Sequence, residues 1–203
     1  AGSEYIDYVK GANVSGFSEL LPVQEGAREE FVDVWSRFHS LVAQGASDQK
    51  ERPDVFGSKA PFPRLSKRPD VLVFRTPPLR QDVEVTGPIA VKLWVSSSAV
   101  DTDFTAKLID VYPPSDDYPD GYDMGLSDSI IRARYRNGWE RGEPMNPGDV
   151  YELEFPLYPI GNLFAAGHRI RVDVSSSCFP HFDVNPNTGE AMGRHTHTVV
   201  ARN

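Results

Sequence analysis

From residue 70 onward the apolar side chains of this chain recur at every second position, and that period constrains the fold more than any other feature. Ile89, Val91, Leu93 and Val95 fall on one side of an extended segment. Tyr151, Leu153, Phe155 and Leu157 do the same later, as do Ile170, Val172 and Val174. Successive side chains of a strand point to opposite faces, so each of these segments carries one apolar and one polar face. The pattern predicts eight strands, at 71–74, 83–86, 89–97, 104–112, 129–136, 151–157, 170–176 and 196–200. Turn chemistry separates them: Gly87-Pro88, Pro113-Pro114, an acidic loop over 115–125, Asn146-Pro147-Gly148-Asp149 and Ala165-Ala166-Gly167. The 17 Pro and 16 Gly suit many turns and do not suit a helical bundle. Alternation without intervening helices implies antiparallel sheets with one wet face each. Two such sheets bury their apolar faces against each other, so the expected class is all-β, a jelly-roll sandwich of antiparallel strands.

Residues 1–66 read differently and are expected to form an N-terminal flank to a 67–203 sandwich domain. After an irregular start over 1–26, Phe31, Val34, Trp35, Phe38, Leu41 and Val42 repeat at helical spacing. Glu29 and Glu30 lie in the first turns and Gly45 follows the end, which predicts a helix over 27–43. Its stripe fits packing on a sheet or a neighbouring domain, or else a partner helix outside any domain. Residues 45–69, punctuated by Pro53, Gly57, Pro61, Pro63 and Pro69, read as a Pro-rich linker. Lys59, Arg64, Lys67 and Arg68 within it read as a solvated face.

Charge and cysteine usage narrow the functions. The 21 basic against 29 acidic residues give a net charge of −8, so a phosphate backbone and an anionic membrane surface are not expected partners. No apolar run approaches the length of a bilayer-spanning helix. A single cysteine, Cys178, excludes an internal disulfide and a cysteine-based zinc cluster. It leaves the compartment open, with the cytoplasm favoured because this piece shows no signal-peptide pattern.

Candidate chemistry is thin. No Gly-x-Ser-x-Gly elbow is present, and Ser96-Ser97-Ser98 and Ser175-Ser176-Ser177 sit at strand ends, where capping is their simplest role. Cys178 could pair with His181 or another histidine as a thiol nucleophile, but reads better as a buried, inert side chain. His195 and His197 share a face of the last expected strand and could begin a metal site with His181 or Asp183. Asp101-Thr102-Asp103 and the acidic 116–123 loop could hold calcium weakly, although solvated acids are the simpler reading. Glu140 with Glu143, and Glu152 with Glu154, have glycosidase-like pairing but read as turn and outer-face residues. Trp94, out of phase with its apolar neighbours, could join Trp139 and Tyr158 in a sugar platform, which is the alternative reading: a carbohydrate- or ligand-binding module.

The ordered motifs carry more. Lys67-Arg68-Pro69-Asp70-Val71-Leu72-Val73-Phe74 leads into Thr76-Pro77-Pro78-Leu79. Asp101-Thr102-Asp103-Phe104 precedes Lys107-Leu108-Ile109-Asp110-Val111. Ile131-Arg132-Ala133-Arg134-Tyr135 and Ala166-Gly167-His168-Arg169-Ile170-Arg171 come next, then Ser175-Ser176-Ser177-Cys178-Phe179-Pro180-His181-Phe182-Asp183 and Asn185-Pro186-Asn187-Thr188-Gly189. This succession resembles the C-terminal, non-catalytic domain of X-Pro dipeptidyl-peptidase and cocaine-esterase-type serine hydrolases over roughly 67–200. The resemblance implies a jelly roll packed on the α/β-hydrolase domain of a parent enzyme, which holds the whole catalytic triad. No catalytic residue and no cofactor is then expected in this chain. The loops at 96–103 and 177–189 become the expected contacts with the cleft. Trp94, Phe179 and Phe182 would serve there as apolar anchors, and Asp101, Asp103 and Asp183 as loop-holding acceptors. The family module ends with one strand past the position of Asn203, so an open edge, inviting pairing between copies, is a further expectation.

Overall fold

The computed structural model describes residues 48–51, 53, 60–179, 181–191 and 193–203. These belong to one of the chain's two units, residues 45–203. The helix expected at 27–43 lies outside the described residues.

Among the described residues six strands form, β1 (Leu72–Arg75), β2 (Val83–Val95), β3 (Asp103–Tyr112), β4 (Tyr122–Arg132), β5 (Tyr151–Phe164) and β6 (Arg169–Ser175). They make two antiparallel sheets, one ordered β1-β6-β3-β4 and one pairing β2 with β5. The chain is therefore an antiparallel β-sandwich, as its alternation predicts. Phe104, Ala106, Leu108 and Ile131 from the first sheet meet Leu153, Phe155, Leu157 and Phe164 from the second in one core. Burying each large apolar side chain stabilises the fold by about 1.5–3 kcal/mol.

Three strand expectations change. Gly87-Pro88 is not a turn between two strands but a bulge inside β2: Gly87 pairs with Ile160 and Ile89 with Leu157, so Tyr158 and Pro159 face the single residue Pro88. A bulge tolerates a residue without an N–H, and Gly87 takes φ +117° there. The strand expected at 129–136 is shifted: β4 begins at Tyr122, inside the expected acidic loop, and ends in a 3-10 turn at Ala133–Tyr135. The cause is the hairpin at Gly121, where φ is +72° and a Cβ would stand 2.7 Å from the Tyr112 carbonyl oxygen. Only glycine fits that close approach at the end of the 113–121 connection, and Tyr122 then pairs directly with Tyr112. Residues 196–200 form no strand among the described residues; Val199 N–H donates to the Pro186 carbonyl instead.

The first sheet is not wet on its outer face. Asp48 and Lys50 form bridges to Met124 and Arg64, so part of the expected linker lies along the sheet. Arg171, 3% exposed, pairs with Asp123 at 2.8 Å and faces Asp173 at 3.0 Å. Arg64 closes on the other Asp123 oxygen at 3.0 Å, and Arg68 pairs with Glu51 and Asp70, both at 2.6 Å. Arg64 and Arg68 are thus committed to ion pairs rather than spread on a solvated face.

Candidate functional site

Strand direction decides which loops meet. β2 ends where β5 begins, and Val95 pairs with Tyr151. At the same end Asp103 pairs with Arg132, and Thr105 with Ser175. The 96–102 loop, the 133–150 connection and everything after β6 therefore emerge at one end of the sandwich. There they are tied by a buried charge cluster.

Asp101 is fully buried and Asp103 almost so. Arg134 donates from Nε to Asp101 Oδ2 at 2.6 Å, and its backbone N–H reaches Asp101 Oδ1 at 3.1 Å. Arg132 grips Asp103 with both Nε, at 2.8 Å, and an Nη, at 2.9 Å, a bidentate pairing that holds its guanidinium charged. Asn185, from the long segment after β6, places its amide nitrogen 2.9 Å from Asp101 Oδ2 and 2.7 Å from Asp103 Oδ1. Arg134 also donates to the Glu190 carbonyl at 2.8 Å. At the chain's far end Ser98 N–H donates to the Arg202 carbonyl, and Arg202 N–H returns a bond to Ser98 Oγ. Asn203 spans Thr102 and Ser176. Two loops far apart in sequence are thereby one rigid end, a clasp built from buried, fully opposed charges.

The acids at 101 and 103 are accordingly not solvated, and the guanidinium groups occupy the carboxylates that a cation would need. Asp183 is exposed and acts on the Arg132 charge from a distance. Phe179 is half exposed, close to the clasp in sequence, and Phe182 stacks on His181 with ring centroids 4.3 Å apart. Trp94 stands on the outer face of β2, 66% exposed, beside the Lys92 amine and opposite Glu152 in register. Trp94, Trp139 and Tyr158 do not make one platform. Trp139 stacks on Tyr135 in the 133–150 connection, and Tyr158 lies six residues along β5 from Trp94's partner, about 20 Å at strand rise. Val184 and Val200 add exposed apolar surface to the segment after β6.

The serines do structural work: Ser97 Oγ accepts Ala99 N–H, Ser175 bonds Thr105, and Ser176 accepts from Asn203. His195 and His197 do not share a strand face, because 196–200 is irregular; His197 sits 4.0 Å from Glu190, whose carboxylate also accepts from Thr196. Glu152 and Glu154 flank Lys92 on the outer face. Cys178 is half-buried rather than enclosed.

Arg132, Arg134 and Asn185 escaped the sequence reading. A signal existed for the first two: Asp-x-Asp at 101–103 and Arg-x-Arg at 132–134 have the same two-residue spacing, so on antiparallel neighbours they can face each other pairwise. Asn185 gives no comparable signal, because its position depends on the path of the chain after β6.

Fold and site together define an antiparallel β-sandwich domain whose buried polar side chains at the loop end hold loops to one another. The chain belongs to the family of the X-Pro dipeptidyl-peptidase C-terminal non-catalytic domain, whose pattern matches residues 32–203. It is similar to the cocaine esterase of Rhodococcus sp. (strain MB1 Bresler), 47% identical over 130 residues, covering 64% of this chain and 22% of the esterase. Among solved structures it is similar to an aminopeptidase from a marine sediment archaeon, Thaumarchaeota archaeon, with TM-score 0.59 and 40% identity over 61% of this chain and 21% of that one. An α-amino acid ester hydrolase matches with TM-score 0.58 and 38% identity, again over 61% of this chain and 21% of the other. The chain thus spans about a fifth of the length of these relatives.

Proposed function

We propose that this chain is the accessory domain of a serine hydrolase of the acyl esterase or X-Pro dipeptidyl-peptidase class. It seats on the α/β-hydrolase domain of the same parent and shapes the substrate side of the cleft. The observation that carries this reading is the clasp. Asn185 binds both Asp101 and Asp103, so the 96–103 loop and the segment after β6 hold one shape while Phe179, Val184 and Val200 stay exposed. A rigid loop end with exposed apolar side chains is what a domain needs to dock without ordering its contacts at the moment of binding. Trp94, on the outer face close to the same end, is the further anchor.

A serine-directed fluorophosphonate probe tests the division of labour. The parent hydrolase takes the label and the isolated chain does not. Covalent labelling of the chain itself, competed by an ester substrate, would overturn the accessory role. Phe179→Ser and Trp94→Ser in the parent are expected to weaken inter-domain association, and Trp94→Ser to leave the sandwich's own unfolding free energy within about 0.5 kcal/mol.

A further inference from the structure

The segment after β6 brings together three unlike donors that the clasp does not use. Phe182 N–H donates to the Cys178 carbonyl at 3.1 Å, closing a turn that sets residues 178 and 181 side by side. The His181 ring is held by its stack on Phe182, tilted by only 15°. Asp128 reaches the same place from β4: it pairs with Lys107 in register, on the sheet's outer side, and its Oδ2 stands 3.2 Å from His181 Nδ1. The Cys178 sulfur, one His181 nitrogen and one Asp128 oxygen all lie within 4.8 Å of one another.

We propose that Cys178, His181 and Asp128 form a binding site for a borderline-soft divalent cation, zinc in the first instance. Bonds of about 2.0–2.3 Å to tetrahedral zinc put neighbouring donors roughly 3.3–3.8 Å apart. The His181–Asp128 separation of 3.2 Å already falls close to that edge, and the Cys178 sulfur, within 4.8 Å of both, has at most about an ångström to close. Sulfur with imidazole selects against calcium and magnesium, which take oxygen. Binding forms three bonds to the ion and releases the thiol proton to solvent, because the ligand is the thiolate. The fourth position is left to water. Such an ion pins the 178–182 turn to β4. The site stands whether or not the chain docks on a hydrolase.

Cobalt(II) titration of the reduced 203-residue chain tests this. The expected result is one equivalent bound with a thiolate-to-cobalt charge-transfer band in the near ultraviolet, displaced by zinc. Cys178→Ser is expected to remove the band, and His181→Ala and Asp128→Asn to weaken binding at least tenfold. Absence of the band in the wild-type chain overturns the proposal, and needs no variant to fold. So does a band that survives in folded His181→Ala and Asp128→Asn at unchanged affinity, which would reduce the site to a bare thiol. Loss of the band in His195→Ala or His197→Ala instead would move the site elsewhere and equally overturn it.

Discussion

Arg134 and Asp101 are 33 positions apart in the chain, yet the guanidinium Nε and the carboxylate Oδ2 meet at 2.6 Å in a fully buried setting. A pair so enclosed adds little net stability relative to a well-packed apolar pair, but breaking it on one side strands a buried charge. Asp101→Ala is therefore expected to destabilise the chain by about 3–5 kcal/mol, measured as a lowered urea midpoint. A loss below 1 kcal/mol would mean that water reaches Arg134 and that the clasp is open in solution.

Asn185 supplies a neutral link, so its removal costs less. Asn185→Ala takes one donor from each of two carboxylates that keep their arginines, an expected loss of about 1–3 kcal/mol. The more telling readout is limited proteolysis. Cleavage after residue 177 should accelerate while the strands stay protected. Uniform acceleration across β3 and β6 would count against a local clasp.

At Gly189 a side chain would meet both a strained backbone and a close neighbour. Its φ is +74°, and a Cβ there would lie 2.9 Å from Val100 Cγ2. Gly189→Ala should cost about 1–2 kcal/mol for the left-handed backbone alone, with the Val100 contact added. Val100→Ala in that background should recover the contact and not the backbone cost. Full recovery in a thermal melt would refute the backbone argument.

Asp173 gives a pH dependence of defined sign. Burial pushes its carboxyl above the usual range, against the opposing pull of Arg171. Between the unfolded value, near 3.9, and the raised folded one, the native state binds more protons than the unfolded state, so stability falls as pH rises through that window. The stability of the wild type minus that of Asp173→Asn should therefore decline with rising pH from about 4. A difference that grows with pH would show that the arginine pairing, not burial, dominates at this carboxylate.

Much of the sandwich is visible in the sequence, because period-two alternation is a local property of residues that face a core. Ile89 to Val95 and Tyr151 to Leu157 needed no tertiary knowledge to be placed face inward. The errors have one cause. Proline and glycine mark a change of direction without saying how large it is: Gly87-Pro88 makes a bulge within one strand, while Gly121 makes a hairpin. Likewise, an outward-facing Asp or Arg looks solvated until the chain returns over it. Asp123 and Arg171 are ordinary polar-face residues by alternation, and only the segment at 48–51 with Arg64 makes that face an interior.

Local alternation by itself determined that this chain is a two-layer antiparallel protein, and its ordered motifs pointed to the family. Tertiary structure alone decided what the charged residues do. Asp101, Asp103, Arg132, Arg134 and Asn185 lie on three loop-end segments, and a buried charge finds its partner through the path of the whole chain rather than through its neighbours in sequence. Long-range closure likewise gathers Cys178, His181 and Asp128, from two distant parts of the chain, within 4.8 Å of one another.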